Sequence, residues 1–308
     1  MDEAFDSTAA IDKARLKALS TRSDAKGAAR LASHGAALAA TAAAIAWAEG
    51  SVWLLPAMAL HSLVLIFLFA PLHETVHRTA FASRRLNDAV AQLCGFLLLL
   101  PADYFRLFHF THHRFTQDPA RDPELSTPKP QTLGAYLLHV SGLPLWWSNL
   151  TITLKHAGGK VDESFIAQHQ RAAIVTEARV YLILYAVIAV LSIALRDATA
   201  LLYWVVPALL GQPALRLYLL AEHSGCPLVP DMLNNSRTTR SNALVRWLVW
   251  NMPFHAEHHA YPALPFHALP QAHPLLRDRI AVQASGYVAV HRDILRKLRS
   301  PKALSVGG

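Results

Sequence analysis

Seventeen histidines occur in this chain of 308 residues, and eight of them fall into three short groups. The groups are His73-Glu-Thr-Val-His77, His109-Phe-Thr-His112-His113 and His255-Ala-Glu-His258-His259. Residues three or four apart share one face of a helix, so the imidazoles of each group point the same way if the group is helical. Imidazole binds iron, zinc, copper and nickel. Eight such ligands exceed the needs of one tetrahedral zinc, and they predict a site for two metal ions.

A ninth ligand is predicted at His223, which follows a long uncharged segment and so lies at the end of a helix, level with His73. Eight imidazoles shared evenly leave room for one more protein ligand. The alternative is a helix cap, because a cation at a helix C-terminus is stabilised by about 0.3–1 kcal/mol. Gly225 directly after this position is typical of such a helix end.

The remaining histidines lack this spacing. His61 lies twelve residues before His73, or about 18 Å along a helix, so it is too far away to bind the same metal. A polar residue at that depth in a membrane could line a substrate channel. The others are predicted to pack, to cap helices or to face solvent: His34, His139, His156, His169, His267, His273 and His291.

The first group also fits a different chemistry. His73-Glu74-Thr-Val-His77 matches H-E-x-x-H, in which two histidines bind zinc and the glutamate acts as a general base, as in membrane zinc proteases. That interpretation leaves the other two groups without a purpose. It also lacks an obvious third ligand on a nearby spanning segment.

Composition points to a membrane protein. The chain is 53% hydrophobic and 16% charged, against about 25% charged in an ordinary soluble domain. Cys94 and Cys226 are too few for a four-thiolate zinc or iron–sulfur site. The net charge of +8 does not form a basic stripe with interleaved aromatics, so we expect no nucleic-acid partner. In such a chain, positive charge is typical of loops beside anionic lipid.

Four segments are uncharged or nearly so and long enough to cross a bilayer, at about 31–48, 51–72, 178–195 and 198–220. Residues 1–30 alternate charge with small side chains and are predicted to form a cytosolic amphipathic arm. Ala89–Ala102 is too short to span, and Pro130–Leu154 is interrupted by glycine, proline and polar residues. We therefore expect these two segments to be interfacial or re-entrant helices.

Basic residues cluster outside the two short links at Glu49-Gly50 and Arg196-Asp197. The positive-inside rule then predicts two helical hairpins with both termini in the cytoplasm. The predicted fold is an all-α integral membrane protein in which residues 31–308 form a single domain. The segments 73–177 and 221–308 form a cytosolic histidine-rich cap. All three histidine groups then reach the same membrane face.

The three groups resemble the histidine boxes of the membrane fatty acid desaturase/hydroxylase superfamily, whose pattern is H-x(3–4)-H, H-x(2–3)-H-H and (H/Q)-x(2–3)-H-H. The flanking sequences are similar as well, namely Gln117-Asp118-Pro119 to Glu124, Asn251-Met-Pro-Phe254 and His259-Ala-Tyr-Pro262. The resemblance covers about residues 55–275. It implies a non-haem di-iron centre, O2 as co-substrate and an external reductant. It also implies an extra histidine or a water-linked asparagine between boxes two and three, which supports His223.

Metal-bound histidines need acceptors for their second ring N–H. The candidates in the sequence are Asp118, Asp122, Glu222 and Glu257, with Asp122 favoured. No haem domain, paired CxxC motif or flavin-binding glycine loop is evident in the sequence. Electrons are therefore expected from a separate ferredoxin, rubredoxin or cytochrome.

The resemblance implies oxidation of an unactivated C–H bond in a lipid chain at a membrane, and desaturation of a fatty acyl chain is the favoured outcome. The alternatives are a hydroxylase- or ketolase-type oxygenase and a fatty acid decarboxylase that forms terminal alkenes. A transporter or scaffold that binds metal without catalysis is disfavoured, because the polar groups cluster outside the spanning segments. We expect a bacterial inner membrane with the active site on its cytoplasmic face.

Overall fold

The computed structural model describes residues 11–299, which are mostly helical. The helices of the first half are α1 Lys13–Leu19, α2 Asp24–Ala48, α3 Leu54–Ile66, α4 Phe69–Val76, α5 Arg84–Leu97, α6 Ala102–Phe115, α7 Leu133–Ser141 and α8 Leu143–Ala157. Those of the second half are α9 Arg171–Leu195, α10 Val206–His223, α11 Met232–Asn235, α12 Ala243–Leu248, α13 His255–Ala260, α14 Leu269–Leu276 and α15 Tyr287–Arg299. Two short strands, β1 Arg237–Thr239 and β2 Val282–Ala284, pair in parallel. Residues 1–10 of the predicted arm lie outside the described residues.

Four helical stretches are long and apolar enough to cross a membrane: Asp24–Ala48, Leu54–Val76, Gln168–Leu195 and Leu201–His223. Each contains most of one predicted spanning segment. The first begins earlier than predicted, at Asp24, because the Ser23 side chain caps the helix by accepting from the Lys26 N–H. The prediction of an all-α integral membrane fold is confirmed.

The two segments predicted not to span are both broken. α5 and α6 meet at a bend of 101°, where Leu99 adopts a left-handed backbone with φ 52°. Pro130–Leu154 is divided at Gly142, also left-handed with φ 74°, into α7 and α8 of 9 and 15 residues. Both helices are shorter than the roughly 20 residues that a membrane crossing requires.

The described residues divide into two compact units. The larger unit comprises 23–109 and 142–215, and the smaller unit comprises 11–22, 110–141 and 216–299. Helices α6 and α10 contribute residues to both. The predicted single domain over 31–308 stays a prediction.

Polar side chains link the apolar helices of the larger unit. His34 Nε2 donates to the Val64 carbonyl at 2.9 Å. His61 lies between the Thr41 hydroxyl, 2.7 Å from Nδ1, and the Tyr203 carbonyl, 3.0 Å from Nε2. Tyr203 lies in a π-helical turn, Leu201–Val205. His61 is buried and joins α2 and α3 to this turn, and a place along a channel stays a prediction.

The smaller unit is built around its short sheet. β1 pairs with β2, with Thr238 opposite Gln283, and α13 packs against β1, α11 and α14. The fully buried ring of Trp250 lies 4.8 Å from that of Phe266. This core fixes the start of α13, which carries the third histidine box.

Candidate metal centre

Three histidines converge in the larger unit. His73 lies on α4, His77 ends that helix, and His109 lies on α6. Their ring centroids are 4.4–5.1 Å apart, and one nitrogen of each lies within 4.8 Å of the others. His73 and His109 are buried. The helical spacing within the first box therefore places its two imidazoles together, as its sequence predicts.

Aromatic rings surround this group. Phe105 stacks on His109 with centroids 5.3 Å apart, and Phe69 lies 6.1 Å from His73 and 5.6 Å from Phe105. An apolar wall of this kind excludes water and lowers the dielectric constant around the ligand nitrogens.

Asp88 connects the two helical segments that carry these histidines. Its carboxylate accepts from Arg78, the residue after His77, at 2.9 and 3.3 Å, and from Arg106 on α6 at 2.8 Å. Partial burial alone would raise the pKa of Asp88. The two arginines outweigh that effect, and the pKa lies below its ordinary value.

Replacing Asp88 with asparagine should lower the melting temperature at pH 7 by about 1–3 °C, because the side chain is partly exposed and its ion pairs are screened. A lowered carboxyl pKa contributes stability above the pKa of the unfolded state, and this is lost as the pH falls through the folded pKa. The gap between wild type and Asp88→Asn should therefore close below about pH 4. A gap that stays constant across a pH series of thermal melts would contradict this account.

Glu177, a buried carboxylate on α9, caps the start of α6. It accepts from the backbone N–H groups of Asp103 at 2.7 Å and Tyr104 at 3.2 Å, and from Gln92 at 2.8 Å. The two backbone N–H groups lie in the first turn of α6, where the helix itself offers no carbonyl to accept them. Glu177 therefore fixes the helix that carries the second histidine box.

A second group of histidines converges in the smaller unit. One nitrogen of each of His112, His223 and His259 lies within 4.8 Å of the others, and all three side chains are buried. His255 Nε2 lies 2.9 Å from His223 Nε2. His258 Nε2 lies 3.1 Å from the Nε2 of His113.

The partners behind the rings fix where the protons are. His112 Nδ1 lies 3.0 Å from Asp122 Oδ1, and His223 Nδ1 lies 3.2 Å from the Asn235 carbonyl. Both partner oxygens only accept, so both Nδ1 atoms carry the hydrogen. If both rings are neutral, the Nε2 atoms of His112 and His223 carry no hydrogen, and their lone pairs face each other at 3.3 Å. A cation between them satisfies both nitrogens.

His259 completes the same arrangement. The Thr116 hydroxyl donates to the His112 carbonyl at 2.6 Å and so accepts from His259 Nδ1 at 3.1 Å. Among the described residues, the buried Nε2 of His259 has no hydrogen-bond partner. Three buried imidazoles thus present unprotonated Nε2 atoms to one another, which fits the donor set of a transition metal.

The surroundings shift the pKa values of two of these rings in opposite directions. The pKa of His259 lies well below its ordinary value, because of burial and then because of the neighbouring His255 and His223. Burial also lowers the pKa of His112, but the carboxylates of Glu124 and Asp122 outweigh it and the pKa is raised overall. A metal ion in place of the proton would gain the same attraction from these two carboxylates.

The four predicted acceptors have different positions. Asp122 contacts His112 as described, and Glu222 Oε1 lies 3.3 Å from His255 Nδ1. Glu257 is fully buried and is paired with Thr238 and His273. Asp118 accepts from Ala120 and Arg121 at the surface; among the described residues its carboxylate contacts these two and not a box histidine.

The acceptors Thr116 and Asn235 were not predicted from the sequence, nor was the carboxylate of Glu124, 3.7 Å from His112 Nδ1, and His273 was predicted only to pack or to cap. Thr116 could have been found, because it lies four residues after His112 on the same helix. The Asn235 acceptor is a backbone carbonyl, which no side-chain pattern reveals.

Left-handed backbone conformations flank each box. Arg78 follows His77 with φ 57°, Gln117 lies just after α6 with φ 65°, and Trp250 and Asn251 precede α13 with φ 50° and 61°. Non-glycine residues rarely adopt this conformation, and they concentrate at functional sites. Gln117 Nε2 also donates to the His223 carbonyl at 2.8 Å, which holds the end of α10.

Comparison with known proteins gives one finding. The family model described as fatty acid desaturase matches residues 62–291, which include all three histidine boxes and His223. No curated protein matches the chain.

Proposed function

Because the chain belongs to the fatty acid desaturase family, we propose that it catalyses the O2-dependent desaturation of a fatty acyl chain. Membership of the family supports an oxidoreductase that acts on lipid chains in a membrane. The observation that carries the proposal is the buried set of His112, His223 and His259, in which one ring nitrogen of each residue lies within 4.8 Å of the others.

Two irons are the proposed cofactors. His73, His77 and His109 would hold one, and His112, His223 and His259 would hold the other. The remaining box histidines, His113, His255 and His258, complete the ligand set. When bound, the irons supply the activation of O2 that removal of hydrogen from an unactivated C–H bond requires.

The protein's own residues orient these ligands and balance their charge. Asp122, Thr116 and the Asn235 carbonyl fix the rings of His112, His259 and His223 with Nε2 free. Glu222 places a carboxylate oxygen 3.3 Å from His255 Nδ1. Phe69 and Phe105 keep water from the first group, which prevents side reactions of a strong oxidant.

The balanced reaction converts a –CH2–CH2– unit, O2, two electrons and two protons into a –CH=CH– unit and two waters. The electrons come from a separate protein of the ferredoxin, rubredoxin or cytochrome type, and the substrate is a membrane lipid or fatty acyl chain. Hydroxylation consumes the same electrons but retains one oxygen atom in the product. Decarboxylation releases CO2 and leaves a terminal alkene.

A zinc protease gains one supporting observation. The H-E-x-x-H motif lacked a third ligand in the sequence, and His109 lies beside His73 and His77 in the structure. However, a single zinc on these three residues leaves the set of His112, His223 and His259 unexplained. The family match also favours lipid oxidation.

Lipid mass spectrometry of cells that express the chain tests the proposal. Desaturation lowers the mass of an acyl product by about 2 Da, hydroxylation raises it by about 16 Da, and decarboxylation yields a shortened alkene. The matched control is His259→Ala at equal expression, which should give no product. A wild-type profile identical to that of this variant would overturn the function.

We propose a bacterial inner membrane with the site on its cytoplasmic face, and accessible tags test this topology. Tags at Glu49 and Arg196 should react with an impermeant reagent from outside, and tags after Lys129, Lys160 and Gly308 should not. Gly308 lies outside the described residues. External labelling after Lys160 would mean that Pro130–Leu154 crosses the membrane, and the orientation would be wrong.

A further inference from the structure

Helix α15 exposes a basic face that the proposed chemistry leaves unused. Arg292, Arg296 and Arg299 follow one another at intervals of four and three residues, so they share one side of the helix. Lys297 is also exposed. The helix carries one carboxylate, Asp293, which accepts from Arg296 at 2.8 Å. The face therefore keeps a strong excess of positive charge.

The opposite side of α15 is held by uncharged contacts. His291 Nε2 donates to the Leu217 carbonyl at 2.8 Å, and its Nδ1 accepts from the Tyr136 hydroxyl at 3.0 Å. Val290 is buried. Since these contacts anchor the helix, its exposed arginines are available to a partner.

The same helix leads to the proposed metal ligands by a short path through the side chains of Tyr287, Tyr218 and Glu222. The ring of Tyr287, at the start of α15, lies 5.4 Å from that of Tyr218 on α10. Tyr218 and Glu222 lie four residues apart on α10, so their side chains share one face, and the Glu222 carboxylate lies 3.3 Å from His255 Nδ1. Three side chains thus connect α15 to an imidazole of the site.

A second contact joins the anchored side of α15 to the segment after His223, because Lys297 lies two helical turns after the buried Val290. Lys297 Nζ lies 3.5 Å from where a Cβ would stand on Gly225, two residues after His223. Arg237 donates to the carbonyls of Ala221 and Ser224 on either side of His223. A protein bound on α15 would lie next to the segment that carries a proposed iron ligand.

From these observations we propose that the basic face of α15 is the docking site of an acidic one-electron carrier protein. The inference rests on the proposed function and names the surface where its reductant binds. Each docked carrier would lose one electron to the proposed iron site, so two carriers would supply the two electrons of one turnover. Opposite charge accelerates such encounters and makes them sensitive to salt.

Binding measured in nanodiscs of neutral phosphatidylcholine tests the proposal, with an acidic plant-type [2Fe–2S] ferredoxin as the probe. Arg292→Glu/Arg296→Glu should raise the Kd at 50 mM NaCl at least tenfold and flatten its dependence on salt. The matched control is Lys13→Glu/Lys17→Glu, an exposed pair four residues apart on α1 with the same change of charge. The control should change the Kd less than twofold.

Iron content and turnover driven by dithionite should be equal in wild type and both variants, because the ligands are untouched. Equal Kd values for wild type and the α15 variant would overturn the docking site. Lower thermal stability of that variant only in phosphatidylglycerol nanodiscs, with ferredoxin binding unchanged, would assign the face to lipid headgroups and also overturn it. Failure of the wild type to turn over with dithionite would instead contradict the proposed function, whatever the binding result.

Discussion

Replacing His223 with alanine should reduce turnover by more than about 100-fold and lower the iron content. Loss of a residue that merely orients a metal ligand already costs about 10- to 100-fold, and a ligand itself contributes more. The physical reason is that His223 Nε2 lies 3.3 Å from the Nε2 of His112 and 2.9 Å from that of His255. Product formation and iron analysis of the purified protein measure both effects.

The control is His139→Ala, a histidine of the same unit that contacts Arg216 at 3.0 Å instead of another imidazole. This variant should keep its iron. Circular dichroism should show the same helix content in both variants. If His223→Ala retains iron and near-normal activity, His223 is only a helix cap and the ligand set contains eight residues.

Purification under iron-replete conditions should give about two irons per chain, as a ligand set of nine imidazoles indicates. Removal of iron by a chelator should abolish lipid oxidation, because the side chains of the site cannot activate O2 without the metal. Activity should return with Fe²⁺ and not with Zn²⁺. Elemental analysis and reconstitution assays measure these outcomes.

The zinc alternative makes the opposite prediction. A protease centred on His73, His77 and Glu74 would contain one zinc, would keep its activity after iron chelation and would cleave peptide bonds. Observation of one zinc and no iron in active protein would reject the desaturase assignment. A His112→Ala variant sharpens the comparison, because that residue belongs to the second set and should not affect a zinc protease.

The sequence alone determined the spanning helices and the residue types of the site. Hydrophobic length is a local property, so the four apolar segments could be found without knowledge of their packing. The spacing within each box is local as well. His73 and His77, or His255 and His259, share a helix face wherever that helix lies.

Tertiary structure decided which histidines meet and which acceptors lie behind them. His112 and His223 are 111 residues apart in the chain, and His259 meets both only because α13 packs against β1. The acceptor of His223 is the Asn235 carbonyl, while Asp118, a less favoured candidate than Asp122 in the sequence, contacts Arg121. Composition and periodicity indicate whether each residue faces lipid, the protein interior or water. Distances between separate segments depend on how their surfaces fit, which a single sequence does not display.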